Sequence, residues 1–64
     1  MKVYIERSNQ TKELTFSGTA QELCDELGVN PQTVLVVKDG ELITEDVAVD
    51  DAKEIKLVTV VSGG

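Results

Sequence analysis

The sequence predicts a single α+β domain in which one helix packs on one face of a mixed sheet of four to five strands. Three observations carry this. Apolar residues alternate with polar ones near both ends of the chain, at Val3/Ile5 and Ile55/Leu57, as in strands buried on one side. Between them lies one segment punctuated as a helix, from Thr19 to Gly28. An unbroken apolar run, Val34-Leu35-Val36-Val37, is followed by Asp39-Gly40, the signature of a two-residue hairpin turn.

Val3 and Ile5 alternate with Lys2, Tyr4 and Glu6 and predict the first strand. Ser8-Asn9-Gln10 predict a turn. Leu14 and Phe16, alternating with Glu13, Thr15 and Ser17, predict a second strand that closes a hairpin and ends at Gly18. The helix is the best-marked element. Thr19-Ala20-Gln21-Glu22 is a capping box, in which the Thr19 hydroxyl accepts the Glu22 backbone N–H and the Glu22 carboxylate reaches back. Ala20, Leu23, Cys24 and Leu27 form one apolar face. Gly28 suits the left-handed position after the helix, and Pro31 blocks its resumption. Asp25 and Glu26 lie near the negative end of the helix dipole, a small mismatch that solvation offsets.

The Val34–Val37 run predicts a strand with neighbours on both sides, and Leu42 and Ile43 return antiparallel after the Asp39-Gly40 turn. Val47 and Val49 alternate in an acidic stretch and predict an irregular connection pinned to the core. Asp50-Asp51 and Lys53-Glu54 mark a turn before a last strand from about Glu54 to Val60. In that strand Ile55 and Leu57 face the helix, while Lys56 and Val58 face the other way. No linker divides the chain. The expected organisation is one domain over residues 1–61 and a flexible diglycine tail over residues 62–64.

Composition narrows the function. Hydrophobic content is 41%, with Tyr4 and Phe16 as the aromatic residues, so the core is Val, Ile and Leu. That suffices for one helix on one sheet but not to wall a deep substrate pocket. Net charge is −6, which repels phosphate backbones and argues against direct binding of nucleic acid. One cysteine, Cys24, and no histidine exclude disulfide frameworks, zinc sites and histidine-assisted nucleophiles. Cys24 sits on the apolar face of an acidic helix, where a thiolate is disfavoured, and is read as an inert core residue. Alternation begins directly after Met1-Lys2, so neither an apolar signal core nor a membrane span is expected, and the location is expected to be cytoplasmic.

No phosphate-binding glycine loop is present, because the glycines are scattered at 18, 28, 40, 63 and 64. The carboxylates fall on turns and polar faces and are read as solvated. Lys2, Lys12, Lys38, Lys53 and Lys56 are read as separate exposed positions. By elimination, the group singled out is the terminal carboxylate of Gly64. Gly63-Gly64 has no side chains and a wide backbone range, so it can thread a channel too narrow for other residues. By chance, two glycines would end a chain roughly once in 200 times. A carboxylate acylates poorly until it is activated, and nothing in the pattern binds a nucleotide. The chain is therefore read as a substrate or carrier for another enzyme, not itself an enzyme, with no bound cofactor and no metal site.

The order strand–strand–helix–strand–strand–strand, with Leu27-Gly28-Val29-Asn30-Pro31 and Val34, the turn Lys38-Asp39-Gly40, the Asp50–Leu57 segment and Ser62-Gly63-Gly64, resembles the β-grasp, ubiquitin-like sulfur-carrier family (ThiS/MoaD-like). The resemblance covers the whole chain. It is nearest to the compact prokaryotic and archaeal carriers of transfer-RNA thiolation and small protein modification. Val60-Val61 stands where molybdopterin carriers usually have a proline pair. Glu6-Arg7 stands where thiazole carriers often have Asn-Gly.

That resemblance implies a partner, a ubiquitin-activating-type (ThiF/MoeB-like) adenylyltransferase that uses ATP to adenylate Gly64. A sulfur donor then displaces AMP and leaves a thiocarboxylate. The sulfur goes to transfer RNA or, as the less favoured acceptors, to molybdopterin or thiamin synthesis. In modifier members Gly64 is instead joined to lysines of target proteins. Gly63 and Ser62 are the threading residues, and Val58, Val60 and Val61 the docking residues for the activating enzyme. The protein is expected to act as a monomer. Two alternatives stay open: the modifier, and a non-covalent interaction module of the same fold.

Overall fold

In the computed structural model, which describes residues 1–60, two polar turns, one helical crossover and one long acidic connection join five strands. The strands are β1 (Lys2–Ile5), β2 (Gln10–Glu13), β3 (Val34–Lys38), β4 (Glu41–Ile43) and β5 (Glu54–Thr59), and the helix α1 spans Ala20–Leu27. They form a single sheet in the order β2-β1-β5-β3-β4. β1 pairs parallel with β5, and the other pairings are antiparallel, so the sheet is mixed as expected. The architecture is the β-grasp.

α1 forms as its punctuation requires. Thr19 Oγ1 accepts the Glu22 backbone N–H, and Glu22 Oε1 accepts the Thr19 N–H at 2.9 Å. The two remaining N-terminal donors are taken from outside the helix. Ala20 N–H donates to Val47 O (2.9 Å) and Gln21 N–H to Glu45 O (2.8 Å). At the other end Gly28 is left-handed, with φ 72°. Its N–H donates to Asp25 O and the Val29 N–H to Cys24 O, a Schellman closure. Ala20, Leu23 and Cys24 are fully buried against Val3, Ile55, Leu57 and Val49 from the sheet and the long connection.

The turn at Asp39-Gly40 has positive φ at both residues, 48° and 84°, as a type I′ hairpin demands. Its residues also tie the sheet together. The Asp39 carboxylate accepts the backbone N–H groups of Lys53 (3.0 Å) and Glu54 (2.9 Å), fixing where β5 starts. Val49 is fully buried and its N–H donates to Gly18 O, so the acidic connection is pinned to the core as the sequence implied.

One strand lies elsewhere than predicted. β2 is Gln10–Glu13, not the Leu14–Phe16 stretch. Glu6–Ser8 form a 3₁₀ turn and Asn9 is left-handed with φ 52°, which reverses the chain so that Ile5 pairs with Gln10 and Lys2 with Glu13. All four β2 residues are exposed, and β2 is an edge strand of the sheet. Leu14 and Phe16 follow the strand and pack, half-buried, against the core. Their alternation marks a covering loop. Among the described residues, no helix is long and apolar enough to cross a membrane.

The helix start and its core contact are separable in stability. Thr19→Ala is expected to cost about 1 kcal/mol and Leu23→Ala about 3 kcal/mol, read from urea unfolding. A Thr19→Ala variant as stable as the parent would mean that the carbonyls of Glu45 and Val47 alone hold the helix start.

Candidate functional site

Side chains alternate along β5, and its register with the neighbouring strands decides what lies on each face. Ile55 pairs with Val3, and Leu57 with Ile5 and Val36; these face α1 and are buried. Paired residues share a face. Val58 opposite Leu35, and Lys56 opposite Val37 and Tyr4, therefore lie on the sheet's outer side, where Leu42 joins them opposite Val37. Val60 continues the same alternation.

The outcome is an apolar stripe on the face away from the helix. Leu35 is 47% exposed, Leu42 61% and Val60 43%, while Val37 and Val58 are half-buried. These are the exposed large hydrophobic side chains among the described residues, and they share one face. Val58 and Val60 are thus where the sequence put them. Leu35 and Leu42 were not anticipated as part of this surface. The signal was available: a two-residue turn at Asp39-Gly40 fixes Leu42 opposite Val37, and period-2 alternation puts Leu35 on the same side. Val61, Ser62, Gly63 and Gly64, the other predicted site residues, lie outside the described residues.

Beside this stripe, where β4 ends at Ile43, the sheet edge opens into a groove of about 610 Å³ lined by apolar Pro31, Val34 and Leu42 and by acidic Glu45 and Asp46. Its volume is larger than the composition suggested. It is an open trough at a sheet edge, not the deep walled pocket that the composition excludes.

The charged residues are engaged more than expected. Lys38 is not a separate exposed lysine, because its ammonium lies 2.8 Å from Asp51 Oδ1. The hydrogen bond from Lys38 holds the Asp51 carboxyl below the usual carboxylate range, and the same bond raises the Lys38 pKa. The pair is solvent-screened and contributes little to stability. A hydrogen bond from the Thr44 hydroxyl likewise lowers the Asp46 pKa. Asp39 and Asp50 accept backbone N–H groups and so act in the fold. No group of three or more metal-ligating side chains occurs among the described residues.

Cys24 is buried under the sheet. Burial raises its thiol pKa first, and the negative charges of Asp25 and Glu45 raise it further.

The ThiS family pattern matches residues 3–64. The chain belongs to the ThiS family. Proteins of this family are sulfur carriers and not enzymes, and the family works with an activating enzyme of the ubiquitin-activating type. Two relatives are similar to this ThiS-family chain. The sulfur carrier protein TtuB of Thermus thermophilus is 33% identical over 60 residues, covering 91% of this chain and 92% of that protein. An uncharacterized protein of Archaeoglobus fulgidus is 48% identical over 44 residues, covering 67% of this chain and 63% of its own length.

The buried thiol yields a prediction with a definite sign. Because the folded pKa of Cys24 is raised above the ordinary value of 9.0, its contribution to stability is full below that value. It is lost as pH rises through the folded pKa. At about pH 8 a maleimide should leave native Cys24 unmodified while labelling the urea-unfolded chain fully, and Cys24→Ala should show a smaller alkaline loss of stability. Rapid labelling of the native protein would contradict the inert reading.

Proposed function

We propose that this ThiS-family protein carries sulfur on the carboxyl group of Gly64. A ubiquitin-activating-type (ThiF/MoeB-like) partner binds ATP. The Gly64 carboxylate attacks the α-phosphorus, releasing pyrophosphate and forming the acyl-adenylate. A sulfide-equivalent donor then attacks the acyl carbon, forming the C–S bond and expelling AMP. The thiocarboxylate that remains is a stronger nucleophile at neutral pH than the carboxylate it replaces, and it hands its sulfur to an acceptor. Transfer RNA is the acceptor we favour, on the resemblance to the compact carriers, while the likeness to the sulfur carrier protein TtuB supports the carrier role.

The observation that carries this reading is the position of the apolar stripe. Val58, Val60, Leu35 and Leu42 lie on the outer face, and β5 runs along that face towards Ser62-Gly63-Gly64. A partner seated on the stripe would meet the chain a few residues before Gly64, and Val61 is proposed as a further docking residue. Ser62 and Gly63 present little side chain to a narrow channel, so they can thread to the partner's nucleotide while the body stays outside. The net charge of −6 favours a partner whose docking surface has a basic rim. ATP belongs to the partner, and no cofactor is assigned to this chain.

The test is the intact mass of the protein from its native host, with fragmentation to place any change. A gain equal to one oxygen-to-sulfur exchange on Gly64 is the expected result. Localisation matters, because oxidation of Met1 or Cys24 gives almost the same shift. Gly64 found joined to lysines of other proteins would favour the modifier. A tail that stays a free carboxylate with ATP and the activating enzyme present would favour a binding module. In the same assay, deleting Gly64 should abolish adenylation without loss of fold. Leu35→Asp should raise KM about tenfold or more while changing stability by less than about 0.5 kcal/mol.

A further inference from the structure

The strand that leads to the tail ends in an unusual way. In the β3–β5 ladder, Asp39 N–H donates to Glu54 O and Val60 N–H donates to Thr33 O. Antiparallel pairs alternate between hydrogen-bonded and non-hydrogen-bonded, so the Val34/Thr59 pair between these is of the second kind. The Thr59 N–H therefore points away from β3, to the side where β1 would lie. But β1 ends at Ile5, opposite Leu57. There the chain turns off into the Glu6–Ser8 3₁₀ turn, and the Glu6 carbonyl is taken by the Asn9 N–H at 3.1 Å. The Thr59 N–H makes no backbone hydrogen bond to the Glu6 carbonyl.

The Glu6 side chain fills that place. Its Oε1 accepts the Thr59 N–H at 3.1 Å, across 53 residues of sequence. The Thr59 side chain adds no polar anchor of its own among the described residues, its Oγ1 being buried without a partner. Residues 59 and 60 are thus held from opposite sides, Thr59 by the Glu6 carboxylate and Val60 by the Thr33 carbonyl at 2.9 Å.

We propose that Glu6 is a positioning residue: its carboxylate substitutes for the missing end of β1 and sets the direction in which the chain leaves the sheet towards Gly64. The inference rests on the proposed function in so far as that direction matters for activation. Glu6 reaches β5 at the Thr59 N–H. It acts through Thr59 by narrowing the range of paths open to the tail of a docked carrier, and so raises the fraction that arrive in reactive geometry.

The experiment uses the full 64-residue chain with Glu6→Ala and Glu6→Gln. Amide hydrogen exchange is read residue by residue, and adenylation is read as pyrophosphate released with ATP and the host's activating enzyme. Glu6→Ala should speed exchange at Thr59 by roughly tenfold and leave exchange at Val3 and Ile55 unchanged. It should lower kcat by roughly tenfold with KM unchanged, since the docking stripe is intact. Glu6→Gln keeps an acceptor oxygen and should restore both, which a general loss of stability would not do. Unchanged exchange at Thr59 in Glu6→Ala would overturn the anchoring. Faster exchange with unchanged kcat would overturn the positioning role. If the wild-type chain is never adenylated, the sulfur-carrier reading falls and the activation role of Glu6 with it, while the exchange result still decides the anchoring.

Discussion

Burial of Ile55 and Leu57 beneath α1 is the constraint on which the rest of this small protein depends. β5 is the middle strand, with β1 parallel on one side and β3 antiparallel on the other. Its inward side chains are fully buried together with Leu23, Val3 and Val49. A chain of 64 residues buries a small fraction of its surface compared with larger domains, so few alternative cores are open to it. Because the strand period is two, burying 55 and 57 commits 56, 58 and 60 to the opposite face. A slip of one residue would exchange the two sets. The core and the apolar stripe are therefore fixed by one register, and neither can be moved without the other.

The same small size explains how the carboxylates are used. Strands of three to six residues and one eight-residue helix leave many backbone donors at element ends relative to those inside ladders. Carboxylates take several of them. Glu22 holds Thr19, Asp39 holds Lys53 and Glu54, Asp50 holds Gly18, and Glu6 holds Thr59. Charge-assisted bonds of this kind are stronger than neutral ones. The acidity that reads in the sequence as solubility is thus partly a set of splices between elements that are too short to meet.

What was legible in the sequence follows from range. α1 was readable to the residue because its cap, its apolar face and its left-handed terminus are all local signals. The Asp39-Gly40 turn was readable for the same reason. β2 was not, because its residues are all exposed and carry no alternation, while the half-buried Leu14 and Phe16 beyond it do. Period-2 hydrophobicity reports burial, and burial and pairing part company at this edge. The Lys38–Asp51 pair and the Glu6–Thr59 bond join residues distant along the chain, and no local pattern announces them. Of the site, Val58 was visible through alternation on β5, while Val60 was named through the family resemblance. Leu35 was hidden inside an apolar run that reads as uniformly buried, although only every second residue of it faces the helix.

The division of labour along β5 bears on why a carrier is built this way. Val58 and Val60 belong to the exposed apolar face on which docking is proposed, and the N–H of Thr59 between them donates to the Glu6 carboxylate. Docking residues and anchoring residue thus alternate on one strand, pointing to different neighbours. A partner that grips the outer face leaves the Thr59 N–H untouched, because that bond lies in the plane of the sheet. Under the proposed docking, the chain could be held by a partner and aimed by its own body at the same time. Only after Val61 does the sequence turn to Ser62-Gly63-Gly64, where small or absent side chains favour reach over rigidity. On the proposed function, stiffness is needed up to the last sheet residue and is a hindrance beyond it. The change of composition falls just beyond that boundary, after Val60-Val61.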